Sequence, residues 1–166
     1  MISKLFGGKA SKKTVDIAAP ATGELVPLQS VPDDAFAQGL MGEGVAIEPS
    51  EGVVVAPFDG VISHVIDTHH AIIVEHSSGL QLLIHIGINT VALKGEGFKA
   101  LVNTDDKVKS GQPLIEFDPE FIRNSGYSTV TPIIVVNDEG ADKVDCSFHT
   151  VKAGDSAVIK VTLKSS

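Results

Sequence analysis

Two histidines carry the first sign of chemistry. His85 interrupts an aliphatic run, Leu82-Leu83-Ile84-His85-Ile86-Gly87, and His70 precedes a second, Ala71-Ile72-Ile73-Val74. Between the runs stands His76-Ser77-Ser78-Gly79. Short β-branched and aliphatic runs on either side of a Ser-Ser-Gly turn are the signature of a β-hairpin. The midpoint between His70 and His85 falls between Ser77 and Ser78, so a tight turn predicts that they sit directly opposite each other. Opposite residues share a face, with Cβ atoms roughly 4.5–5.5 Å apart. A bulge at Gly79 would slip the register by one residue and spoil this pairing. A lone histidine in an apolar strand more often fills a core or edge position. The second histidine at matching distance, with Thr68 beside it, is what points to a reactive pair.

A facing pair of imidazoles suits three chemistries. One ring nitrogen can act as a nucleophile while a hydrogen bond to the other fixes the tautomer. In phosphoryl transfer the second imidazole would donate to the phosphoryl oxygens, Thr68 Oγ would orient it, and apolar neighbours would exclude water. The pair could instead hold a metal, but zinc sites want three or four protein ligands and no third is obviously placed. It could also be an acid/base couple in a hydrolase, although no GxSxG or HExxH run accompanies it. The other histidines, His64, His69, His76 and His149, read as surface residues. Cys146 reads as a passive thiol in an irregular acidic stretch.

The elements that must position these residues are strands. Of the 166 residues, 43% are hydrophobic but only 5% aromatic, with 16 Gly and 8 Pro. Small β-branched residues among many turn formers favour one all-β domain. Strands are predicted at residues 15–19, 24–28, 45–47, 53–56, 61–66, 98–102, 114–117, 130–136 and 158–163, besides the central hairpin. Short helices are predicted at 31–38, stopped by Gly39, and at 118–123, where Asp118 caps, Pro119 starts and Gly126 follows the end. The chain also repeats itself. Ala19-Pro20-Ala21-Thr22-Gly23 returns as Ala56-Pro57-Phe58-Asp59-Gly60, and Val108-Lys109-Ser110-Gly111 as Val151-Lys152-Ala153-Gly154. Together the matches predict an antiparallel β-sandwich of two interleaved, related β units with one or two short helices.

A net charge of −8 argues against nucleic acid and suits a basic protein partner. The single cysteine rules out an intrachain disulfide framework and points to a reducing cytoplasm. No apolar run approaches the ~20 residues of a membrane span. Residues 1–13, MISKLFGGKASKK, form a basic stretch with four lysines, read as a flexible tail before the globular domain at 14–166. Ile2, Leu5 and Phe6 allow it a weak membrane-surface contact.

From about Val15 to the C-terminus the chain resembles the glucose-type enzyme IIA phosphocarriers of the bacterial phosphoenolpyruvate:sugar phosphotransferase system. The matching stretches are AAPATGELVPLQSVPDDAFAQGLMGEGVAIEP at 18–49, VVAPFDGVISHVIDTHHA at 54–71, LLIHIGINTVALKGEGF at 82–98 and VKSGQPLIEFD at 108–118. The resemblance implies that His85 is the phosphoryl acceptor, at Nε2, that His70 stabilises the phosphoryl group, and that Thr68 orients His70. It implies an apolar partner-binding rim of Ala35, Phe36, Leu40, Met41, Ile66, Leu83 and Val91. Two acids flank the site in the family. Asp33 keeps one, but Asn89 stands where the other is commonly Asp, which weakens the contact expected with an arginine-bearing donor. The implied donor is the histidine-containing phosphocarrier HPr, and the implied acceptor is a cysteine of a sugar-specific enzyme IIB. No cofactor is implied. Zinc would sit on His70 and His85 only in a partner complex, and regulation of other proteins is a further possibility for such a carrier.

Three other readings compete. A regulatory module that has lost transfer is suggested by Asn89. A zinc peptidase of similar sandwich type would need a histidine where Gly87 stands. A biotin or lipoate carrier would need a lysine on a hairpin tip, but no lysine lies between Lys13 and Lys94.

Overall fold

Ala19 and Ala56, matching residues of the two repeated turns, make the same pair of backbone hydrogen bonds. Ala19 N donates to Asp155 O and Ala19 O accepts from Gly154 N; Ala56 N donates to Gln112 O and Ala56 O accepts from Gly111 N, all at 2.8 Å. A side chain then closes each turn. Thr22 Oγ1 accepts from Ala153 N at 2.9 Å, and Asp59 Oδ1 from Ser110 N at 2.8 Å. The sequence repeat is therefore a structural one. This computed structural model describes residues 13–137, 140–156 and 158–164.

The repeat builds one eight-stranded antiparallel sheet. Its order is β13 (Thr150–Val151), β2 (Gly23–Pro27), β3 (Glu43–Pro49), β11 (Thr131–Val135), β7 (Gln81–His85), β6 (Ala71–His76), β5 (Gly60–Val65) and β9 (Lys107–Val108). The first four strands and the last four are the two related units, meeting where Ile133 of β11 pairs with Ile84 of β7. Gly23 pairs with Pro49 and Val151 in one unit as Gly60 pairs with His76 and Val108 in the other. Two three-stranded sheets complete the sandwich: β1 (Thr14–Ile17), β14 (Ile159–Leu163) and β12 (Ala141–Cys146), then β4 (Val53–Val55), β10 (Pro113–Phe117) and β8 (Phe98–Ala100). The fold is all-β and antiparallel.

Alternation along the strands divides the apolar residues between two clusters. Ile72, Val74, Leu82, Ile84 and Ile133 face inward and join Ile17, Leu114, Ile115 and Val161 of the smaller sheets in the main core. Ala46, Ala71, Leu83 and Ile134 face outward. Left bare they would form an exposed patch. The long connection from β2 to β3 covers it with Leu28 of a 3-10 turn (Leu28–Ser30), Val31, and Phe36 of α1 (Asp34–Ala37). The two predicted helices both form, α1 shorter than its predicted span and α2 at Pro119–Asn124 with Asp118 capping Phe121 N at 3.0 Å.

Two expectations are corrected. The hairpin register pairs His85 with Ala71, not with His70. The loop is Ser77-Ser78-Gly79, closed by His76 N donating to Leu80 O, and Gly79 at φ +94° takes up the extra residue. Cys146 ends strand β12, whose sequence ADKVDC is too polar to read as a strand. Burial and the nearby Glu43 and Asp145 carboxylates push its thiol up to about 11, so it is unreactive. The proposed membrane contacts of the tail lie outside the described residues. No helix among the described residues is long and apolar enough to cross a membrane.

Candidate functional site

His85 is the last residue of β7, on the outward face with Leu83 and Ala71. Beyond it the chain turns at Gly87, which has φ +75° and no room for a side chain: a Cβ would lie 2.5 Å from Thr90 Cγ2 and 2.8 Å from Ser128 O. This turn brings the Gly87 carbonyl to 2.8 Å from His85 Nδ1. A carbonyl can only accept, so Nδ1 carries the proton and the lone pair of the neutral ring is on Nε2.

His70 arrives by a different route. Strict alternation from β6 would send it inward with Ile72. Instead Ile66-Asp67-Thr68-His69 form a turn in which His69 N donates to Ile66 O at 2.7 Å and His69 takes a left-handed φ of +60°. The chain is re-aimed there, and the His70 ring stands edge-on to His85 with centroids 4.9 Å apart at 79°. The pair therefore forms although the predicted register does not. Thr68 Oγ1 lies 2.6 Å from His70 Nδ1. The Phe36 ring packs on His85 with centroids 5.1 Å apart, and Phe98 lies 6.5 Å from His70.

The environment keeps both rings neutral near pH 7. His70 is 5% exposed. Burial, helped by the neighbouring His85, lowers its pKa to about 4. His85 is half-buried, and burial lowers its pKa too, against the opposing pull of the Gly87 carbonyl and the Asp33 carboxylate.

Of the rim residues, Phe36, Leu83 and Ile66 pack in the outer cluster with Ala71, the ladder partner of His85. Ala35 is half-buried on α1, while Leu40, Met41 and Val91 are exposed on the segments that follow α1 and β7. Asp33 has a local duty as well: its Oδ1 accepts from Ala35 N at 2.9 Å and from Phe36 N at 3.4 Å, capping α1 and so holding Phe36 over His85. Asn89 is exposed with φ +62°. Asn tolerates that conformation, so the residue fits the turn. Two site residues went unread as such in the sequence, Gly87 and Phe98. Gly87 was signalled by its place two residues after His85; Phe98, far along the chain, was not. Among the described residues no group of three or more His, Cys, Asp or Glu is placed to hold a metal ion.

Comparison with known proteins places this geometry. Residues 15–141 match the family model described as phosphoenolpyruvate-dependent sugar phosphotransferase system, EIIA 1. The chain belongs to this family. It is 46% identical over 165 residues to the glucose-specific EIIA component of the PTS system of Staphylococcus aureus strain Mu50, covering 98% of this chain and 99% of that protein. The corresponding Staphylococcus epidermidis component is 44% identical over the same length. The solved glucose permease IIA from Mycoplasma capricolum superposes with a TM-score of 0.84 at 32% identity, covering 89% of this chain and 96% of that one. This EIIA chain is thus a component of a sugar-transporting phosphotransferase system, and its chemistry is phosphoryl transfer.

Proposed function

We propose that His85 Nε2 accepts a phosphoryl group from the phosphohistidine of HPr and passes it to a cysteine thiolate of an enzyme IIB serving glucose uptake. The sugar is taken from the relatives, and the roles rest on geometry. The Nε2 lone pair attacks phosphorus, the bond from phosphorus to the donor imidazole breaks, and the donor nitrogen leaves with its electron pair. As the new bond forms, positive charge develops on the His85 ring, and the Gly87 carbonyl at 2.8 Å meets the Nδ1–H that bears it. The burial that lowers the ring's pKa also disfavours that charge, which keeps the phosphoramidate ready to transfer again.

His70 stabilises the phosphoryl oxygens. With the Thr68 hydroxyl donating to Nδ1, the proton of neutral His70 sits on Nε2, where it can be donated to the phosphoryl group. A pKa near 4 leaves this donor uncharged at pH 7, so it supplies a hydrogen bond rather than a second positive charge beside His85. Phe36, Ile66, Leu83 and Ala35, with exposed Leu40, Met41 and Val91, form the docking rim. Asp33 and Asn89 border it, and no cofactor is used.

The observation that carries this reading is the ring pair 4.9 Å apart with one Nδ1 pinned by a backbone carbonyl. The test is incubation with phosphoenolpyruvate, enzyme I and HPr, followed by intact mass. Wild-type protein should gain about 80 Da as an acid-labile adduct. His85→Ala should gain nothing, and His70→Ala should label but deliver poorly to enzyme IIB. An unlabelled wild-type protein would end the proposal.

A further inference from the structure

At the far end of β6 from the histidine pair lies a second concave surface. His76 is five residues from Ala71 along the strand, about 17 Å at the usual rise of ~3.3 Å per residue. A cleft of about 570 Å³ opens there, lined by Lys107, Lys109, Asp59, Glu75 and His76 together with Val61 and Val108. That volume is in the range of small-molecule sites. A second hollow of about 550 Å³ shares Asp59, His76 and Ser77 with the first, and adds the hydroxyls of Ser110 and Ser156 beside Phe58.

The polar groups of this two-lobed groove are partly pre-set. The backbone N–H of Ser78 points at His76 Nδ1 at 3.1 Å, so in the neutral ring the proton must be on Nε2. Asp59 is held by Ser110 N at 2.8 Å and by Lys109 Nζ at 4.0 Å, and Glu75 Oε1 accepts from Gln81 Nε2 at 3.1 Å. Both carboxylates thus accept from neighbouring N–H groups, and Asp59 lies beside the Lys109 ammonium.

The fold does not demand this set, and the molecule contains its own control. In the related unit Lys152 and Glu48 stand for Lys109 and Glu75, whereas Thr22 stands for Asp59, Pro49 for His76, Thr150 for Lys107 and Ala153 for Ser110, and the turn closes with the same backbone bonds. Asp59, His76, Lys107 and Ser110 are therefore additions to a scaffold that closes without them, while Lys109 and Glu75 keep the residue types of their counterparts.

We propose that this groove binds a phosphorylated sugar or polyol. Lys107, Lys109 and the His76 Nε2–H take the phosphate, and Asp59, Glu75 and the serine hydroxyls take the sugar hydroxyls. A bare anion is disfavoured because the carboxylates of Asp16, Asp59 and Glu75 would repel it, whereas a hydroxyl donates to a carboxylate. Being far from His85, the site is open while a phosphoryl partner is docked, and it stands independently of the carrier roles proposed above.

The test is titration of the full chain with glucose-6-phosphate, glucose or inorganic phosphate, followed by amide chemical shifts in NMR. The ester should give saturable shifts at His76, Ser77, Lys107 and Ser110, with glucose and phosphate weaker by about tenfold or more. The exposed double variant Lys107→Ala/Lys109→Ala should lose the ester by a similar factor yet still label at His85. His85→Ala should bind the ester like wild type, so failure of the carrier reading leaves this result untouched. Equal affinity for phosphate and ester, absence of saturation, or undiminished binding in the lysine variant would each overturn the proposal.

Discussion

The two related units of the large sheet share a backbone plan and differ in what hangs from it. Matching pairing and facing puts Ile72 beside Val45 and Ile84 beside Ile133 as equivalents, and sets His85 where the other unit has Ile134. Ile134 is fully buried under α1 and is only packing. His85, at the same outward position, is half-covered and has its own turn. The connections differ as well. The β2–β3 link is long and supplies Asp33 and Phe36, whereas the β5–β6 link is a tight turn that supplies Thr68 and His70. The repeated parts hold the fold, and the site lies where the copies diverge.

Gly87 is the sharpest divergence. Gly87→Ala places a Cβ in a left-handed turn against Thr90 and Ser128. It should cost about 3 kcal/mol in denaturant unfolding and slow phosphorylation by moving the carbonyl off His85 Nδ1. A fully stable, fully active variant would show that the turn does not set the tautomer.

The buried imidazole predicts a pH effect of similar size. His70 has its pKa lowered to about 4 in the folded chain, from an ordinary 6.5 when unfolded. The unfolded chain thus binds the proton first as pH falls. Stability is complete above about pH 6.5 and is lost on the way down through pH 4, by on the order of 3 kcal/mol. Denaturation midpoints should fall over that window in wild type and less steeply in His70→Gln. Parallel profiles would remove the burial argument.

Smaller effects test the shared part of the plan. Thr22→Ala and Asp59→Ala each delete the acceptor for one turn N–H and should each cost about 1 kcal/mol. Nearly equal losses would support the repeat as a structural equivalence. Unequal losses beyond about 1 kcal/mol would break it. Smallest of all, Asn89→Asp should leave stability within about 0.5 kcal/mol and raise the rate of phosphorylation by HPr a few-fold at low salt, fading as salt rises. An unchanged rate would mean that position 89 does not face the donor.

How much was legible in the sequence follows from the same contrast. His85 stood out because it breaks an aliphatic run, and the repeat was readable because both copies keep their turn residues. The cap of α2 was readable at Asp118 and Pro119, and the end of the first helix at Gly39. The register was not, since the choice between a two-residue loop and Gly79 as an extra left-handed residue is a matter of small backbone energies. Nor was the route of His70, which depends on His69 adopting a positive φ that few non-glycine residues take. Strand β12 was hidden because an edge strand with polar residues shows no apolar alternation.

The interleaving also bears on how the chain is made. β2, near the start, finds its edge partner β13 only near the end, and β5 likewise waits for β9 beyond the hairpin it belongs to. The second unit, from β5 to β9, is inserted between β3 and β11 of the first, so no single cut separates them. On the ribosome the β5–β6–β7 meander can form early, whereas the sheet cannot close its other border until β13 has been made.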